Sequence, residues 1–251
     1  MKAAFHTLGC KVNQYETEAL KENFRVAGYD IVDENDKADV YVINTCTVTG
    51  LADRKSRQYI RRMKKQCPES CIAVTGCYAQ VGSEEIMKIP GVNIVAGTNE
   101  KHNLLRYIEE YKAAPQSAPH RYIKKYDELG EYEETGTITS MESRTRAYIK
   151  IEEGCNRFCS YCIIPYARGP VRSRSTAEIV EEARQLVENG FREIVLTGIN
   201  TALYGADSAD GGGTGELKLH VLLEQLDALD GDFRIRLSSL EPTVIDAEYV
   251  K

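Results

Sequence analysis

Three cysteines lie within eight residues in the second half of the chain, where the segment EGCNRFCSYC contains Cys155, Cys159 and Cys162. Thiolates are soft ligands that suit iron–sulfur clusters or zinc, and a structural zinc site normally takes four ligands. No fourth cysteine or histidine follows nearby. Three thiolates on a 4Fe-4S cluster leave one iron open to a small molecule. The spacing therefore favours a redox cluster, with a zinc loop that borrows a distant ligand, or free thiols, as the alternatives.

A second set of cysteines is spread over the first half of the chain. Cys10, Cys46 and Cys77 each follow a predicted strand, in TLGC, INTC and VTGC. Because the carboxyl ends of parallel strands share one edge of a sheet, where ligands bind, these thiols are expected to converge on one metal site. Gly9 and Gly76 directly precede two of them and would let the backbone approach a bulky cluster. The alternative is three separate buried cysteines that act as small hydrophobic residues.

The composition limits the class of protein and its compartment. The chain has 251 residues, a net charge of −6 and eight cysteines. There is no global basic field, so nucleic-acid binding would depend on local patches. The chain has no apolar run of ~18 residues that would predict a membrane span, and no export signal is visible. We therefore expect a cytoplasmic protein with free thiols and no membrane association, in which Cys67 and Cys71 are incidental.

Strand and helix patterns alternate along the chain and predict an α/β fold. The predicted strands cover residues 2–8, 39–44, 71–75, 92–95, 147–151, 193–197 and 234–238. The predicted helices cover residues 13–27, 51–66, 100–111 and 218–229, with a further helix that starts near Ser175 and stops at Gly190. Capping-box spacing of Asn13 with Glu16, and of Ser175 with Glu178, marks two of the helix starts. A Gly-rich loop is expected at residues 205–215.

The pattern divides the chain into two units. Residues 1–112 form the first domain, residues 113–140 read as a linker with a short extended piece at 121–126, and residues 141–251 form the second domain. The first unit predicts an open parallel sheet covered on both faces. The second has three β/α repeats without a closing partner, so it resembles part of a barrel.

The segments HTLGCKVNQYETE, VINTCTVT, VTGCYAQ and GCNRFCSYCIIPYARGPVRSR, in this order, resemble the methylthiotransferase family of radical S-adenosylmethionine (SAM) enzymes. The first motif is closest to the branch that modifies C2 of N6-threonylcarbamoyladenosine 37 in tRNA. The isopentenyladenosine branch has Gln and Met where Lys11 and Val12 stand here, and the ribosomal-protein branch has Pro-Lys after the first cysteine. The resemblance implies a flavodoxin-like first domain followed by an incomplete radical-SAM β/α barrel.

The same resemblance implies a mechanism and its cofactors, two 4Fe-4S clusters and SAM. The catalytic cysteines Cys155, Cys159 and Cys162 would hold the cluster that cleaves SAM and produces the radical that attacks C2 of the adenine. Cys10, Cys46 and Cys77 would hold the cluster that supplies the methylated sulfur. Further residues are expected to bind SAM: Tyr161 near the adenine, and Gly198, Asn200, Ser238 and Glu241 at strand ends. The implied partners are the tRNA anticodon loop and an electron donor such as a flavodoxin or ferredoxin.

The chain departs from the family in length. Relatives carry more barrel units and a C-terminal RNA-binding module called TRAM, which is expected to be absent here. We therefore expect the chain alone to bind clusters and to turn over tRNA poorly. Two rival functions stay open: methylthiolation of another adenosine or of a ribosomal protein, and a non-catalytic Fe–S or zinc-binding remnant.

Two basic regions are candidates for RNA contact. Residues 53–65 place an apolar stripe of Tyr59, Ile60 and Met63 beside seven basic side chains: Arg54, Lys55, Arg57, Arg61, Arg62, Lys64 and Lys65. The pattern is typical of a core-packed helix with a solvated face, and it also suits sequence-independent phosphate contact. Three arginines beside the cysteine loop are expected to meet substrate phosphate or the cofactor carboxylate. They are Arg168, Arg172 and Arg174.

Overall fold

The computed structural model describes residues 1–116, 118–129, 132–133, 135–136, 138, 146–207 and 218–241. These residues form two parallel sheets and one short antiparallel pair of strands. No helix among them is long and apolar enough to cross a membrane.

The first sheet has six parallel strands in the order β2-β1-β3-β4-β5-β6. They are β1 (Lys2–Thr7), β2 (Asp30–Val32), β3 (Val40–Thr45), β4 (Cys71–Gly76), β5 (Ile94–Ala96) and β6 (His120–Tyr122). The order of the first five strands is that of flavodoxin, and it confirms the predicted open parallel sheet. The central strands β3 and β4 are buried over their whole length, as expected for a sheet covered on both faces.

Five helices accompany this sheet. They are α1 (Lys11–Val26), α2 (Gly50–Gln66), α3 (Cys77–Val81), α4 (Ser83–Met87) and α5 (Leu104–Ala113), the last preceded by a 3-10 helix at Thr98–Asn103. On one face, Ile60 and Met63 of α2 pack with β3 and β4. On the other, Leu20 and Phe24 of α1 pack with α5. The apolar stripe predicted for α2 therefore faces the core, and the basic side chains lie outside it.

The second sheet has three parallel strands in the order β11-β10-β7. These and the other elements of the second half are β7 (Ala147–Lys150), β8 (Glu152–Glu153), α6 (Ile164–Arg168), β9 (Arg172–Ser173), α7 (Thr176–Glu188), β10 (Glu193–Thr197), α8 (Leu219–Asp227) and β11 (Arg234–Leu237). Strands β8 and β9 pair antiparallel beside the cysteine loop. Short 3-10 helices lie at Tyr126–Glu128 and Thr201–Leu203.

Helix α1 packs against both sheets. Leu20 and Phe24 belong to the core of the first sheet, whereas Tyr15 and Ala19 are buried in the core of the second. Because one helix contributes to both cores, the two halves share an extensive buried interface. The Tyr15 hydroxyl also donates to the carboxylate of Glu182 on α7, at 3.1–3.2 Å.

Two local predictions are corrected by the structure. Helix α1 begins at Lys11 with Cys10 at its N-cap, so the predicted start at Asn13 is wrong and Asn13 and Glu16 do not form a capping box. Ser175 does occupy the N-cap of α7, but its side chain makes no capping hydrogen bond.

Strand β6 lies inside residues 113–140, where a short extended piece was expected, and it pairs with the edge of the first sheet. Most of the predicted Gly-rich loop lies outside the described residues, and the domain limits at 112 and 140 stay a prediction.

Candidate metal centres

The sheet-edge triplet (Cys10, Cys46 and Cys77) lies at the carboxyl ends of three adjacent strands. Cys10 follows β1, Cys46 directly follows β3, and Cys77 directly follows β4. Thr45 pairs with Gly76, so Cys46 and Cys77 leave the sheet at the same level. The strand order reverses between β1 and β3, and ligands of open α/β sheets bind in the crevice at such a point. The fold therefore brings the predicted triplet to the expected edge of the sheet.

Two glycines allow the backbone to pack closely here. Gly9 has φ +109°, and a Cβ at this position would lie 2.7 Å from Cys46 Cβ and 2.9 Å from Cys46 Sγ. Gly76 has φ +97° and lies against the backbone of Thr45. Both positions combine a left-handed conformation with no space for a side chain, which only glycine accommodates without strain. Gly9 approaches Cys46, whereas Gly76 approaches the neighbouring strand, and the predicted approach to a cluster stays a prediction.

The loop triplet (Cys155, Cys159 and Cys162) follows the short strand β8. Cys155 is buried, Cys162 is half-buried and Cys159 is exposed. The Cys162 amide donates to Cys159 O at 2.9 Å, and the Cys155 amide donates to Gly169 O at 3.0 Å. Burial raises the pKa of the Cys155 thiol, and the neighbouring Cys162 and Cys159 add to the shift. The three thiols therefore lie near one another, with one open to solvent.

The donor set fits iron–sulfur chemistry at both triplets. Each offers three sulfur ligands, and cysteine thiolates hold 4Fe-4S clusters by binding a different iron each. Among the residues that the structure describes, no three His, Cys, Asp or Glu side chains converge closely enough to bind one metal ion together. The remaining cysteines differ: Cys67 packs in the core and contacts the Tyr41 hydroxyl at 3.2 Å, and burial raises the pKa of Cys71 to about 12.

The residues predicted to bind SAM have different environments. Tyr161 lies in the loop that carries Cys155, Cys159 and Cys162, and its side chain is 90% exposed. Glu241 forms an ion pair with Arg157 of the same loop, at 3.3 Å, so the end of the second sheet reaches the cysteines. Ser238 is buried and donates to Leu196 O at 3.1 Å. That hydroxyl therefore ties β10 to the end of β11.

Gly198 and Asn200 are held by a carboxylate that the sequence did not single out. Glu152 is fully buried, lies against Gly198 and accepts a hydrogen bond from the Asn200 amide. Burial raises the pKa of Glu152 to about 8, so the neutral acid is its main form at pH 7. The Asn200 side chain caps the following 3-10 helix by accepting from the Ala202 amide at 3.3 Å. Glu152 thus orients the loop after β10 through its backbone.

The three arginines near the loop are not available to phosphate, which corrects the prediction. All are buried: Arg168 is 0%, Arg172 3% and Arg174 2% exposed. Arg174 pairs with Glu182 on α7. Arg172 donates to the Arg168 carbonyl at 2.7 Å and to Asn99. Their charges therefore serve contacts within the protein.

Arg168 is the centre of a buried polar network between the two halves. Its Nε donates to Cys77 Sγ at 3.2 Å, and Nη1 donates to Glu16 Oε1 at 2.6 Å and Glu153 Oε1 at 2.8 Å. Nη2 donates to Asn13 and to the second oxygen of Glu16. All five guanidinium N–H groups thus have acceptors, four of them on the first domain.

Two lysines complete this network. Glu16 also pairs with Lys101 and with Lys150, and Lys150 bonds Glu153 at 3.0 Å. Burial opposes the ionisation of Glu16, yet Arg168, Lys101 and Lys150 more than offset it and hold the pKa of Glu16 well below its usual range. Sequence analysis missed this role because Asn13 and Glu16 fitted a helix cap. A polar pair three residues apart inside an apolar helix face was the available signal.

Helix α2 carries the exposed basic face. Arg54, Lys55, Arg61 and Lys65 are exposed, and each lacks a hydrogen bond or ion pair within the part of the chain that the structure describes. The other three basic residues have protein partners: Arg57 with Glu85, Arg62 with Asn35, and Lys64 with Ser70 O. Because α2 starts just after Cys46, this face runs away from the sheet-edge triplet.

Comparison with known proteins begins with two family models. Residues 2–97 match the uncharacterized protein family UPF0004. Residues 149–250 match the radical SAM superfamily, whose members use SAM and a 4Fe-4S cluster. Each model covers one of the two cysteine triplets.

Curated relatives extend over the whole chain. The threonylcarbamoyladenosine tRNA methylthiotransferase MtaB of Bacillus subtilis is 49% identical over 99% of this chain and 53% of the relative. The protein of the same name from Aquifex aeolicus is 41% identical over 100% of this chain and 59% of the relative. The chain is therefore similar over its whole length to methylthiotransferases, and its second half matches the radical SAM superfamily. It spans about half the length of the curated relatives that it matches.

A solved structure supports the fold. The radical SAM methyltransferase TsrM of Kitasatospora setae, solved with cobalamin and a [4Fe-4S] cluster bound, aligns with a TM-score of 0.62 and 14% identity. The alignment covers 99% of this chain and 57% of TsrM. At this identity the similarity concerns the fold: an α/β N-terminal sheet followed by a radical-SAM-like unit.

Proposed function

We propose that this chain is the cluster-binding part of a tRNA methylthiotransferase that modifies C2 of N6-threonylcarbamoyladenosine 37. One observation carries the proposal: the consecutive residues Arg168 and Gly169 contact both triplets. The Arg168 side chain donates to Cys77, and the Gly169 carbonyl accepts from the Cys155 amide. Adding a methylthio group to an adenine C–H needs a radical source and a sulfur source in close reach, and two neighbouring cysteine triplets supply a site for each.

The roles of the residues follow from their positions. Cys155, Cys159 and Cys162 would hold the cluster that binds SAM, with exposed Tyr161 beside it. Cys10, Cys46 and Cys77 would hold the second cluster at the switch point of the first sheet. The bound cofactors supply the radical chemistry, and the protein supplies position and water exclusion. The buried network of Arg168, Glu16 and Glu153 fills the space between the halves and keeps water from that interface.

The substrate branch is proposed from the relatives' names. Several relatives at 34–49% identity are called threonylcarbamoyladenosine tRNA methylthiotransferase MtaB, and the synthase named for 2-methylthio-N(6)-dimethylallyladenosine from Clostridium novyi is 35% identical. Two members of the former group, at 49% and 41% identity, are more similar to this chain than that synthase, and together with Lys11 and Val12 in the first motif they favour threonylcarbamoyladenosine. The further partners are the tRNA anticodon loop and a flavodoxin or ferredoxin as electron donor, in the cytoplasm where tRNA is modified.

Iron content tests the two-cluster proposal. After anaerobic reconstitution the chain is expected to hold about eight irons, four for each cluster. Cys155→Ala and Cys77→Ala are each expected to lose about half of them. The matched control is Cys67→Ala, because Cys67 is buried in the core beside Tyr41 and is expected to leave the iron count unchanged. Zinc in place of iron, or a count of about four in the parent, would contradict the proposal.

The substrate is tested in the source organism. Mass spectrometry of tRNA nucleosides from a deletion strain is expected to show loss of the methylthio group from N6-threonylcarbamoyladenosine. The 2-methylthio derivative of isopentenyladenosine should persist. Loss of that second nucleoside instead would assign the chain to the other branch, and unchanged tRNA would exclude tRNA methylthiolation.

A further inference from the structure

The side chain of Arg168 contacts the sheet-edge triplet, although Arg168 lies next to the loop triplet in sequence. It is the last residue of α6, six positions after Cys162. Its side chain extends away from its own domain, is 0% exposed, and donates through Nε to Cys77 Sγ at 3.2 Å. Within the described residues, its side chain makes no hydrogen bond to Cys155, Cys159 or Cys162. The charge supplied by the radical-SAM domain therefore acts on the sheet-edge triplet.

Two carboxylates, of Glu16 and Glu153, fix the orientation of the Arg168 guanidinium. Nη1 and Nη2 contact the two oxygens of Glu16 as a fork, while Glu153 takes a second hydrogen from Nη1. A guanidinium that is held by two carboxylates keeps its Nε–H in one direction. Here that direction is the sulfur of Cys77. Since every N–H of Arg168 is engaged, the bond to sulfur does not compete with water.

The charges around Cys77 do not balance within the described residues. The network contains two buried carboxylates whose pKa values are lowered, Glu16 and Glu153, and three buried cations, Arg168, Lys150 and Arg172. It also contains Lys101, whose pKa is lowered by burial. Burying uncompensated charge is costly, so a buried excess of positive charge indicates an anionic partner. Arg168 donates directly to Cys77 Sγ and shares Glu16 with Lys101, which places this excess beside the sulfur.

We infer that Arg168 is a positioning residue for the cluster at the sheet-edge triplet and raises the reduction potential of that cluster. The inference rests on the proposed function, because it requires a cluster on Cys10, Cys46 and Cys77. Hydrogen bonds to ligand sulfur and nearby positive charge both stabilise the reduced, more negative form of a cluster. The loop triplet has no such bond from Arg168, so the effect of this side chain is expected at the sheet-edge cluster. The radical-SAM domain thereby controls the redox state of the other domain's cluster.

The test isolates one cluster at a time. Cys155→Ala/Cys159→Ala/Cys162→Ala leaves only the sheet-edge site, and Cys10→Ala/Cys46→Ala/Cys77→Ala leaves only the loop site. Each background is combined with Arg168→Lys, which keeps the charge but removes the fork and the Nε–H donor. Iron is counted after anaerobic reconstitution, and the potential is measured by dithionite titration followed by electron paramagnetic resonance.

The matched control is Arg174→Lys. Arg174 is also buried between the halves, pairs with a carboxylate, Glu182, and donates to the Tyr15 hydroxyl at 3.3 Å. Arg168→Lys is expected to shift the sheet-edge potential to more negative values, or to release that cluster. The loop potential should stay unchanged. Arg174→Lys is expected to change neither potential, and thermal unfolding checks that both variants remain folded.

The outcomes separate the inference from the proposed function. A sheet-edge potential equal in the parent and in Arg168→Lys would overturn the inference, and so would equal shifts in both backgrounds or with Arg174→Lys. No iron in the background that keeps only Cys10, Cys46 and Cys77 would overturn the two-cluster function first and the inference with it. The iron count distinguishes these two failures.

Discussion

The two triplets reach similar donor sets by opposite routes. The loop triplet spans eight residues, and its geometry is set by a short loop between β8 and α6. The sheet-edge triplet spans 68 residues and exists only when three strands pair in register. Each triplet has one exposed cysteine, Cys159 in the loop and Cys10 at the sheet edge, but the sheet-edge triplet buries its other two cysteines whereas the loop triplet buries only one. The buried Cys77 also contacts a network of charged groups. A local motif can be read from sequence, while a site assembled by a sheet depends on tertiary structure and on buried electrostatics.

The largest effect is expected where that electrostatic network is broken. Glu16→Gln leaves Arg168, Lys101 and Lys150 buried with one carboxylate fewer. Removing one partner of a buried ion pair typically costs ~3–5 kcal/mol, because the remaining charge is uncompensated. We expect a loss of this size in the free energy of unfolding, measured by anaerobic urea titration. Glu18→Gln on the same helix removes a partly exposed pair with Lys21 and should cost under ~1 kcal/mol. Equal costs would contradict the network.

Replacing a close-packed glycine near either triplet should release iron from that site alone. Gly76 and Gly154 both have positive φ and lie against backbone atoms, of Thr45 and Pro170 respectively. Gly28 and Gly190 also have positive φ but have no atom within 4 Å of an added Cβ. Alanine at the latter two should therefore cost only the ~1–2 kcal/mol of a left-handed residue. Alanine at Gly76 or Gly154 must also displace backbone, and each is expected to release about half of the iron.

Double variants identify which iron is lost. Gly154→Ala combined with Cys155→Ala should lose no more iron than either change alone, because both affect the loop site. Gly154→Ala combined with Cys77→Ala should lose nearly all of it. Iron loss from Gly28→Ala or Gly190→Ala to the same extent would show that strain alone, rather than the close contact, is responsible.

Glu152 predicts a pH effect on stability in the second half. The folded-state pKa of about 8 lies above the ordinary value of 4.5, because burial disfavours the carboxylate. Between these values the folded protein binds more protons at this site than the unfolded chain, so this group makes stability fall as pH rises. Glu152→Gln removes that dependence. The unfolding free energy of Glu152→Gln minus that of the parent should rise by about 1.4 kcal/mol per pH unit between about pH 6 and 7.5.

The control for this effect is Glu84→Gln, which removes an exposed carboxylate on α4. It should change the unfolding free energy by under ~0.5 kcal/mol at every pH. A difference between Glu152→Gln and the parent that does not vary with pH would mean that Glu152 is ionised in the folded protein.

The smallest effect is expected for RNA binding by α2. Arg54→Gln/Arg61→Gln/Lys65→Gln removes three exposed charges without protein partners in the described structure. Each phosphate contact contributes about 0.7–0.9 to the slope of log K against log salt, so removal of three contacts should lower the slope by up to about 2–3. The control Arg106→Gln/Arg184→Gln/Arg192→Gln removes the same charge from residues paired with acidic groups. Titration of labelled tRNA measures both, and equal losses would indicate a general charge effect.

Much of this organisation was predictable, for physical reasons that differ by region. The buried strand DVYVIN and the apolar stripe of α2 have clear periods, so their positions were predicted closely. The placement of Cys10, Cys46 and Cys77 at one edge of the sheet followed from a rule about parallel sheets. The burial of Arg168, Arg172 and Arg174 did not, because an arginine beside a cofactor loop looks the same in sequence whether it faces substrate or another domain. Glu152 was missed for a similar reason, since its partner is a backbone amide 48 positions away.

The position of Arg168 also limits how this protein can be recombined. Its guanidinium belongs to one domain, and most of its acceptors, on Asn13, Glu16 and Cys77, belong to the other. A chimera that exchanges the first domain for that of a relative must carry equivalent acceptors, or it will bury an unmatched cation at the junction. The two halves are separate segments of the sequence, but the buried charge of Arg168 in one half needs acceptors from the other.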